Sequence, residues 1–410
     1  MDKNIFKSKI SIEEAKKIII ENTKPLESIE VDLKKCLSKV LREDILALYP
    51  FPHFNSSAMD GYALNYENYE IGKLYKVNET ILAGKVFKGK IKKDEVLRIM
   101  TGGKVPDGLN LVIPVENSNE KNGYVSFRGD FKEWDNIRRE GEEYKKGEII
   151  LNYGKILNAE DLGLIASQGI KKVKVSKVPE TIIFISGNEF AKKNSSLKDG
   201  KIFDANSIML SSLCKYFNVK VKKIFYLKDD LEIIKKNFEK LKAEDFYIIS
   251  GGISKGITDF SLKGFEEVGG KILFSKVLQK PGGPISFGKK DEKLFLFLPG
   301  NPVSSYISFL YYGSILIQKL KDCKENFLIR IPTFLNENME FRIERTEFIR
   351  VKVLEENGKL ICFPLKKQGS HMITSLTGAD GIWEKPSHKL KFEKGDLIYV
   401  YLIKRGFYGI

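Results

Sequence analysis

Residues 54–63 combine the features expected where a backbone loop approaches a ligand. The stretch holds an asparagine, two serines, one carboxylate and one glycine, it has few bulky aliphatic side chains, and it lies between apolar runs. Because small side chains let the backbone come close to a bound molecule, Asp60 is predicted to stand beside a ligand. An ordinary surface turn has a similar composition, so this stretch alone leaves both interpretations open.

Two further segments of the first half carry side chains that suit oxyanions. Residues 98–106 place the hydroxyl of Thr101 and two glycines after a predicted strand, and residues 136–143 combine two arginines with three carboxylates. Because the guanidinium fork matches the geometry of phosphate and similar oxyanions, Arg138 is a candidate anion ligand. Surface ion pairs would account for the same charges without a ligand, so this interpretation stays open.

Three predicted strands in the second half of the chain end in polar, glycine-bearing loops. The loops span residues 185–189, 250–259 and 298–305. Ligands of open parallel sheets bind outside the carboxyl ends of the strands, so these loops predict one shared crevice. The three widely spaced histidines offer no evident partner for a nucleophilic triad. The predicted chemistry is therefore anion positioning, a divalent ion and carboxylates such as Glu189.

The loop that follows residue 249 is suited to an anion and a metal ion. Ser250, Gly251 and Gly252 can present backbone N–H groups to an anion, because glycine permits the φ angles that this needs. Asp259 is the only carboxylate of this loop, and it could hold Mg²⁺ through one oxygen while phosphate supplies others. Its alternative role is to cap the helix that follows.

The third loop and an earlier proline-rich loop are candidate phosphate sites. Pro302 suits a first helical turn, and the hydroxyl of Ser304 would stand at the positive end of that helix, after Pro299 and Asn301. Lys280 opens the segment Lys-Pro-Gly-Gly-Pro and offers a compact positive charge for phosphate. A plain turn is the competing interpretation of this segment.

Composition bounds the class of protein. The 410 residues are 42% hydrophobic and 30% charged, which is typical of a soluble globular protein with about two to four domains. No apolar run approaches the roughly 20 residues needed to cross a membrane, and residues 1–9 carry no signal-peptide pattern, so a cytoplasmic location is expected. Four scattered cysteines without a CxxC pair indicate neither a zinc site nor a disulfide framework.

The net charge of +15 invites a nucleic-acid interpretation, but the lysines spread along the whole chain and alternate with acidic residues. No zinc finger, RNP aromatic motif or basic arm accompanies them. A solvated, lysine-rich surface is the favoured explanation, and its field would also favour an anionic small substrate.

The apolar patterns predict an α/β region between two β-rich regions. Residues 11–14 form a capping box that opens one helix, and Asn158 is predicted to cap a second helix through Ser167. Between about 180 and 320, apolar runs alternate with helical segments, which is typical of a βαβ sheet. The predicted strands there are 181–185, 220–226, 246–249 and 294–298, and the predicted helices are 207–217 and 230–241. Short strands, including one at 341–343, predict a second β domain after about residue 325.

Taken together, these motifs resemble the molybdopterin molybdenumtransferase family, which completes the molybdenum cofactor. The resemblance covers nearly the whole chain and rests on residues 55–63, 100–102, 105–106, 136–139, 250–252, 299–302 and 368–370. It implies an α/β fold with added β-rich modules, in an elongated four-domain protomer with a doubly wound molybdopterin-binding α/β domain. The implied domains are 1–26 with 178–327 (molybdopterin-binding α/β domain), 27–45 with 147–177 (linking domain), 46–146 (β-rich domain with the Asp60 and Thr101 loops) and 328–410 (C-terminal β domain).

The resemblance also implies a reaction and a site. Such enzymes insert molybdenum from molybdate into adenylylated molybdopterin, release AMP and use Mg²⁺. Matched motif by motif, the catalytic residues are Asp60, Thr101 and Glu189, the metal ligands are Asp230 and Asp259, and the substrate-binding residues are Arg138, Ser250, Gly251, Gly252, Lys280, Pro299, Asn301, Pro302 and Ser304. The implied partners are a second copy in a homodimer, the molybdopterin adenylyltransferase and acceptor molybdoenzymes, with neither nucleic acid nor membrane.

Four positions depart from the pattern of the family. Asn188 stands where an Asp usually precedes Glu189, Glu143 replaces an Asp, and Asn110 and Gly283 replace an Asp and a Lys. These changes leave open a tungstate-preferring version of the enzyme. An enzyme of the same fold that adenylylates molybdopterin would not need the Asp60 module or the C-terminal domain, so their presence disfavours that activity. A molybdopterin-binding scaffold would need an exposed apolar groove for its partner.

Overall fold

The computed structural model describes residues 7–191, 196–197, 199–241, 244–252 and 260–403. The chain divides into two compact units. The first, here called the α/β unit, comprises Met1–Arg42, Gly154–Asn158 and Lys172–Ile410, and the second, here called the β-rich unit, comprises Glu43–Tyr153 and Ala159–Lys171.

The chain begins with strand β1 (Lys7–Ile10) and helix α1 (Ile12–Asn22), followed by β2 (Ser28–Asp32), a 3-10 turn at Leu33–Lys35 and β3 (Ile45–Leu46). The hydroxyl of Ser11 accepts a hydrogen bond from the backbone N–H of Glu14 at 3.1 Å. This bond satisfies one of the free N–H groups of the first helical turn, so the helix start predicted at Ser11 is confirmed.

The β-rich unit is built around one six-stranded sheet. The strands of this part of the chain, six of which form the sheet, are β4 (Ser56–Ser57), β5 (Gly61–Leu64), β6 (Tyr75–Ile81), β7 (Glu95–Ile99), β8 (Leu111–Pro114), β9 (Ser118–Lys121), β10 (Tyr124–Phe127), β11 (Ile137–Arg138) and β12 (Ile149–Leu151). The sheet order is β8-β5-β7-β6-β10-β9, and β11–β4 and β12–β3 form two-stranded ribbons. Alternate residues of β5 enter two different apolar clusters, Tyr62 in one and Ala63 in the other, so both faces of the sheet are covered.

Two elements follow the β-rich strands in the chain. Helix α2 (Ala159–Ser167) begins directly after the predicted cap residue Asn158, and strand β13 (Lys172–Ser176) pairs antiparallel with β2. The helix predicted from Asn158 through Ser167 is therefore present.

The α/β unit then alternates strands and helices as predicted. Its elements are β14 (Glu180–Ser186), α3 (Asn206–Tyr216), β15 (Lys220–Leu227), α4 (Leu231–Glu239), β16 (Phe246–Ser250), α5 (Phe260–Glu267), β17 (Lys271–Val277), β18 (Gln279–Lys280), β19 (Ser286–Lys290), β20 (Lys293–Leu298), α6 (Pro302–Ser308), a π-helical turn at Phe309–Gly313, and α7 (Ser314–Leu320).

A seven-stranded sheet with the order β1-β17-β19-β20-β16-β14-β15 forms the centre of this unit. Strands β20, β16, β14 and β15 are parallel neighbours, and β19 runs antiparallel between β20 and β17. Successive residues of β14 point to opposite faces: Ile183 packs with α1, α3 and α7, and Phe184 packs with α4. Because both faces are covered, the strand sequences are almost continuously apolar, and the predicted doubly wound sheet is confirmed.

The C-terminal region is a second β-rich structure. Its elements are β21 (Arg330–Leu335), β22 (Met339–Glu340), β23 (Thr346–Glu356), β24 (Lys359–Pro364), α8 (Thr374–Thr377), β25 (Gly381–Lys385), β26 (Lys391–Phe392) and β27 (Leu397–Leu402). The sheet order is β18-β23-β24-β21-β27-β25, and a further pairing of β25 with β23 closes five of these strands into a ring around Trp383.

The strand predicted at 341–343 is wrong. The strand in this region is β22, at Met339–Glu340, and the chain bends after Phe341. The ring of Phe341 packs edge-on against Trp383 and Phe392, so an apolar side chain that suggested a strand instead anchors a bend to the core. None of the helices in the described part of the chain has the length and apolar character needed to span a bilayer.

Candidate active site

Three neighbouring parallel strands of the α/β sheet, β20, β16 and β14, end at the same edge of the sheet. A cavity of about 600 Å³, here called the strand-end cavity, lies at these ends. Its lining comes from all three loops that were expected to meet there, and it includes Glu189, Gly251, Gly252, Pro299, Gly300, Asn301 and Pro302. The shared crevice predicted from the sequence is therefore present in the structure.

The two glycines after β16 allow the loops to meet. Gly251 has a φ of +96°, and a side chain there would collide with the backbone carbonyl of Ser186. Gly252 has a φ of +66°, and a side chain there would collide with the hydroxyl of Ser261. Since other residues rarely adopt these angles and have no room here, glycine is required at both positions.

The amide of Asn206, at the start of α3, links two of the loops. Its Nδ2 donates to the hydroxyl of Ser250 at 3.0 Å and to the carbonyl of Gly300 at 2.8 Å. Asn206 also lines the strand-end cavity, and its buried Oδ1 has no hydrogen-bond partner within the described ranges. A buried acceptor without a donor is costly, so this oxygen is available to a ligand N–H group.

Two carboxylates line the strand-end cavity, those of Glu189 and Asp229. The hydroxyl of Ser186 donates to Oδ1 of Asp229 at 2.8 Å, which fixes this side chain at the end of β14. The next residue, Asp230, instead caps α4, since its Oδ1 accepts a hydrogen bond from the N–H of Ile233 at 2.9 Å. The metal role predicted for Asp230 remains a prediction, and the structure presents Asp229 at the cavity.

Three other predicted substrate ligands do not line the cavity. Ser250 is 1% exposed, and its hydroxyl lies 3.2 Å from that of Ser305. It therefore links two of the loops through a buried hydrogen bond. Ser304 is also buried. Lys280 is exposed, lies in β18 and pairs with β23, and a nearby loop residue, Pro284, lines the cavity. Asp259 lies outside the described residues.

The C-terminal region contributes to the same cavity. Ile373 lines it, and the carbonyl of Ser370 accepts a hydrogen bond from the N–H of Val303 at 3.1 Å, at the start of α6. The loop that holds Ser370 is fixed by Arg350, a 1% exposed guanidinium that donates to the carbonyl of Gly369 at 3.5 Å. Burial lowers the pKa of Arg350 to about 10, so the group is still charged at neutral pH.

Asp60 and Thr101, which lie 41 residues apart in the sequence, meet in the β-rich unit. Oδ1 of Asp60 accepts a hydrogen bond from the N–H of Thr101 at 2.7 Å and another from its hydroxyl at 2.8 Å. These bonds, the backbone one first, lower the pKa of the exposed Asp60 carboxyl below its ordinary value. Asp60 is therefore a fixed, ionised carboxylate at neutral pH.

The Arg138 segment joins the same cluster. Arg138 lies opposite Ser56 in the β4–β11 ribbon, and the N–H of Ala58 donates to the carbonyl of Asn136 at 2.9 Å. The N–H of Gly102 donates to the carbonyl of Ser57 at 2.8 Å, which ties in the Thr101 loop. The three first-half segments predicted to carry oxyanion chemistry thus form one connected structure.

Comparisons with known proteins indicate one family over nearly the whole chain. Three family profiles match successive parts: "MoeA N-terminal region (domain I and II)" over residues 10–169, "Probable molybdopterin binding domain" over 182–318, and "MoeA C-terminal region (domain IV)" over 335–403. The molybdopterin molybdenumtransferase of Staphylococcus epidermidis is 30% identical over 402 residues, which is 96% of this chain and 95% of that protein. A relative from Methanocaldococcus jannaschii is 33% identical over 408 residues, 97% of this chain and 96% of the relative.

The chain belongs to the molybdopterin molybdenumtransferase family. The crystal structure of the molybdopterin biosynthesis MoeA protein from Pyrococcus horikoshii matches with a TM-score of 0.83 and 28% identity, over 96% of this chain and 100% of that chain. The chain is therefore an enzyme of molybdenum cofactor biosynthesis, and its fold class, α/β with β-rich domains, is the one that the sequence predicted.

Sequence reasoning missed two residues of the strand-end cavity, Asn206 and Asp229. Asn206 opens a helix, where Asn is common for local reasons, so its type gave no distinct signal. Asp229 and Asp230 are consecutive acidic residues after β15. Their roles differ because Asp230 caps α4, and the sequence alone does not show which of the two is the cap. Of the four departures from the family pattern, Gly283 has a structural account, because a Cβ there would lie 2.9 Å from the carbonyl oxygen of Gln279.

Among the described residues, the strand-end cavity offers two carboxylates as candidate ligands of a Mg²⁺ ion whose remaining ligands substrate phosphate would supply. No group of three or more His, Cys, Asp or Glu side chains suited to a metal ion occurs among the residues that the structure describes. Mg²⁺ commonly binds one or two carboxylates and takes its remaining ligands from substrate phosphate and water. Glu189 and Asp229 on one cavity fit that requirement.

We predict that Thr101→Val raises the pKa of Asp60 towards its ordinary value, because the substitution removes the hydroxyl donor and keeps the backbone N–H. In wild type the lowered pKa keeps Asp60 ionised to lower pH, so the hydrogen bonds weaken as pH falls through that pKa. NMR titration of the labelled Asp60 carboxyl carbon would measure both values. Thr101→Ser is the control and should leave the pKa unchanged; an unchanged value in Thr101→Val would contradict the assignment.

We predict that Gly251→Ala lowers the melting temperature more than Gly269→Ala does. Both glycines have a positive φ, +96° and +84°, so both variants incur a backbone cost of roughly 1 kcal/mol. A Cβ at Gly269 has nothing within 4 Å, whereas one at Gly251 would meet the Ser186 carbonyl. The difference between the melting temperatures of the two variants measures the destabilisation caused by this steric contact alone. Equal melting temperatures would contradict the prediction, because they would show that the Gly251 and Ser186 loops move apart without loss of stability.

Proposed function

We propose that this enzyme inserts molybdenum from molybdate into adenylylated molybdopterin and releases AMP. The observation that carries the proposal is the strand-end cavity, which places the Gly251–Gly252 turn, an unpartnered buried amide oxygen and two carboxylates together. A pyrophosphate-linked substrate needs backbone close to its phosphates, polar acceptors for its ring N–H groups and a way to offset negative charge. Membership of the family supports the same reaction.

The proposed roles within the cavity follow from these contacts. The glycine turn lets phosphate oxygens approach the backbone, and Oδ1 of Asn206 would accept a hydrogen bond from an amino or ring N–H of the pterin or adenine. Glu189 and Asp229 would hold Mg²⁺, with Asp259 as a further predicted ligand. When bound, the ion would neutralise charge on the pyrophosphate and so favour cleavage of its P–O bond.

The Asp60 cluster is proposed to serve the molybdate half of the reaction. Arg138 offers an exposed guanidinium for an oxyanion, and the hydrogen bonds from Thr101 keep Asp60 ionised and oriented. In the proposed hydrolytic step, water attacks phosphorus, the bridging P–O bond breaks, AMP leaves and the molybdopterin phosphate remains. The proton that the attacking water loses would pass to solvent, because the lowered pKa of Asp60 makes it a weak proton acceptor, and Asp60 would instead orient molybdate together with Thr101 and Arg138.

Further elements of the proposal concern the setting of the enzyme. We propose a homodimer in the cytoplasm that receives its substrate from the molybdopterin adenylyltransferase and delivers its product to acceptor molybdoenzymes. These partners follow from the position of the reaction between adenylylation and use of the finished cofactor.

The test is AMP release from adenylylated molybdopterin with Mg²⁺, with and without molybdate, in wild type and Asp60→Asn. We expect molybdate to stimulate release and the substitution to abolish this stimulation, because the neutral amide cannot replace the ionised carboxylate that orients molybdate. A parallel arm with tungstate decides between the two oxyanions. Full molybdenum insertion by Asp60→Asn would contradict the catalytic role, and nucleotide binding without release in wild type would favour a scaffold.

A second comparison tests which acidic residue serves the metal. Asp229→Asn should reduce the Mg²⁺-dependent rate at least about tenfold, since it removes a charge that lines the cavity. Asp230→Asn is the matched control, because Asn caps a helix nearly as well as Asp and so preserves α4. Measuring AMP release against Mg²⁺ concentration separates a metal effect from a loss of folding. A larger loss of rate in Asp230→Asn than in Asp229→Asn would indicate that Asp230 is the metal ligand.

A further inference from the structure

The α/β unit contains a second cavity of about 830 Å³, here called the lysine cavity. It is bounded by the segment around residues 35–40, the end of α3 and the segment that follows α7. No residue that lines it also lines the strand-end cavity. Cavities of this size are typical of small-molecule sites, and the proposed reaction makes no use of it.

The charge on its wall is unbalanced. Among the described residues, four lysines line the cavity, at positions 35, 39, 215 and 321, and Glu325 is the one carboxylate. Glu325 is already engaged, since it accepts a hydrogen bond from the N–H of Ile156 at 3.2 Å and pairs with Lys155 at 3.8 Å. Within the described ranges no ion pair reaches any of the four lysines of the wall. Ammonium groups that converge without counter-charges favour an anion between them.

One of the four lysines of the cavity wall, Lys321, is buried and not a surface lysine. The side chain is 4% exposed, and its Nζ donates to the carbonyl of Phe217 at 2.5 Å, at the end of α3. Burial lowers the pKa of Lys321 to about 8; Cys323 acts in the opposite direction, and the charge of Lys39 lowers the pKa further. A buried amine that is repelled by a second amine would be stabilised by an anion.

The rim of the lysine cavity is apolar. Leu37 and Ile329 line it and are 58% and 63% exposed, and Phe327 lies beside them with its ring 5.6 Å from Nζ of Lys321. Asn218 and Asn326 add amide groups to the wall. A free inorganic ion would leave this apolar surface uncovered, whereas an organic body attached to the anion would bury it.

We propose that the lysine cavity binds an organic phosphate, with its phosphoryl group between Lys39, Lys215 and Lys321 and its organic part against Leu37, Phe327 and Ile329. This site is separate from the strand-end cavity, and the inference does not depend on the proposed function. The phosphate dianion is the ligand chemistry that matches several convergent ammonium groups, and the cavity has room for a molecule the size of a nucleotide.

The test is lysine acetylation of the full chain, read residue by residue by mass spectrometry, with AMP, ribose 5-phosphate, inorganic phosphate or adenosine present. We expect AMP or ribose 5-phosphate to slow acetylation of Lys35, Lys39 and Lys215 several-fold, while Lys146, an exposed lysine of the β-rich unit, is unaffected. The residue-specific readout distinguishes this site from nucleotide bound in the strand-end cavity. No protection by any phosphate at millimolar concentration would overturn the proposal, and equal protection by inorganic phosphate would overturn its organic part.

A charge-matched pair of variants completes the test. Lys39→Gln/Lys215→Gln should abolish the protection of Lys35, because two of the ammonium groups that hold the phosphate are removed. Lys34→Gln/Lys146→Gln changes the net charge equally at exposed positions that do not line the cavity, and it should behave as wild type. Protection of Lys35 that persists in the first variant would show that the anion binds elsewhere.

Discussion

The contact between the backbone of Gly251 and the carbonyl of Ser186 is the constraint on which the strand-end cavity depends. It brings the loops after two neighbouring strands to a distance at which no side chain fits between them. The amide of Asn206 then connects the second loop to the third, through Ser250 and Gly300. The carboxylate of Asp229 follows the neighbouring strand β15 and is held to the end of β14 by the hydroxyl of Ser186, so it lines the same cavity as Glu189.

The stability of the fold alone does not account for the buried polar groups beneath the strand-end cavity. Ser250, Ser305 and Asn206 form a buried hydrogen-bond network in a position where apolar residues would pack without polar cost. Oδ1 of Asn206 and the hydroxyl of Ser261 are buried without partners in the described part of the chain. Native proteins keep few such atoms, so their presence next to the glycine turn is consistent with a site that a ligand completes.

Charge is used differently in the two units of the chain. In the β-rich unit, Thr101 fixes a single exposed carboxylate, Asp60, and keeps it ionised. In the α/β unit, acidic groups line the strand-end cavity, while ammonium groups line the lysine cavity around the buried Lys321. The overall excess of lysine in the sequence therefore does not show that local clusters of both signs exist in the fold.

The sequence by itself determined the local structure and indicated that three loops meet at one edge of the α/β sheet. The capping box at Ser11, the apolar strands of the α/β sheet and the need for glycine at Gly251 follow from short-range rules of capping, periodicity and backbone sterics. Only the tertiary structure decided which of Asp229 and Asp230 faces the cavity, that Ser250 supports the loops from behind, and that Phe341 anchors a bend. It also brought Asn206 to loops far away in sequence and gathered the scattered lysines around Lys321. These outcomes depend on long-range packing, which local sequence patterns do not encode.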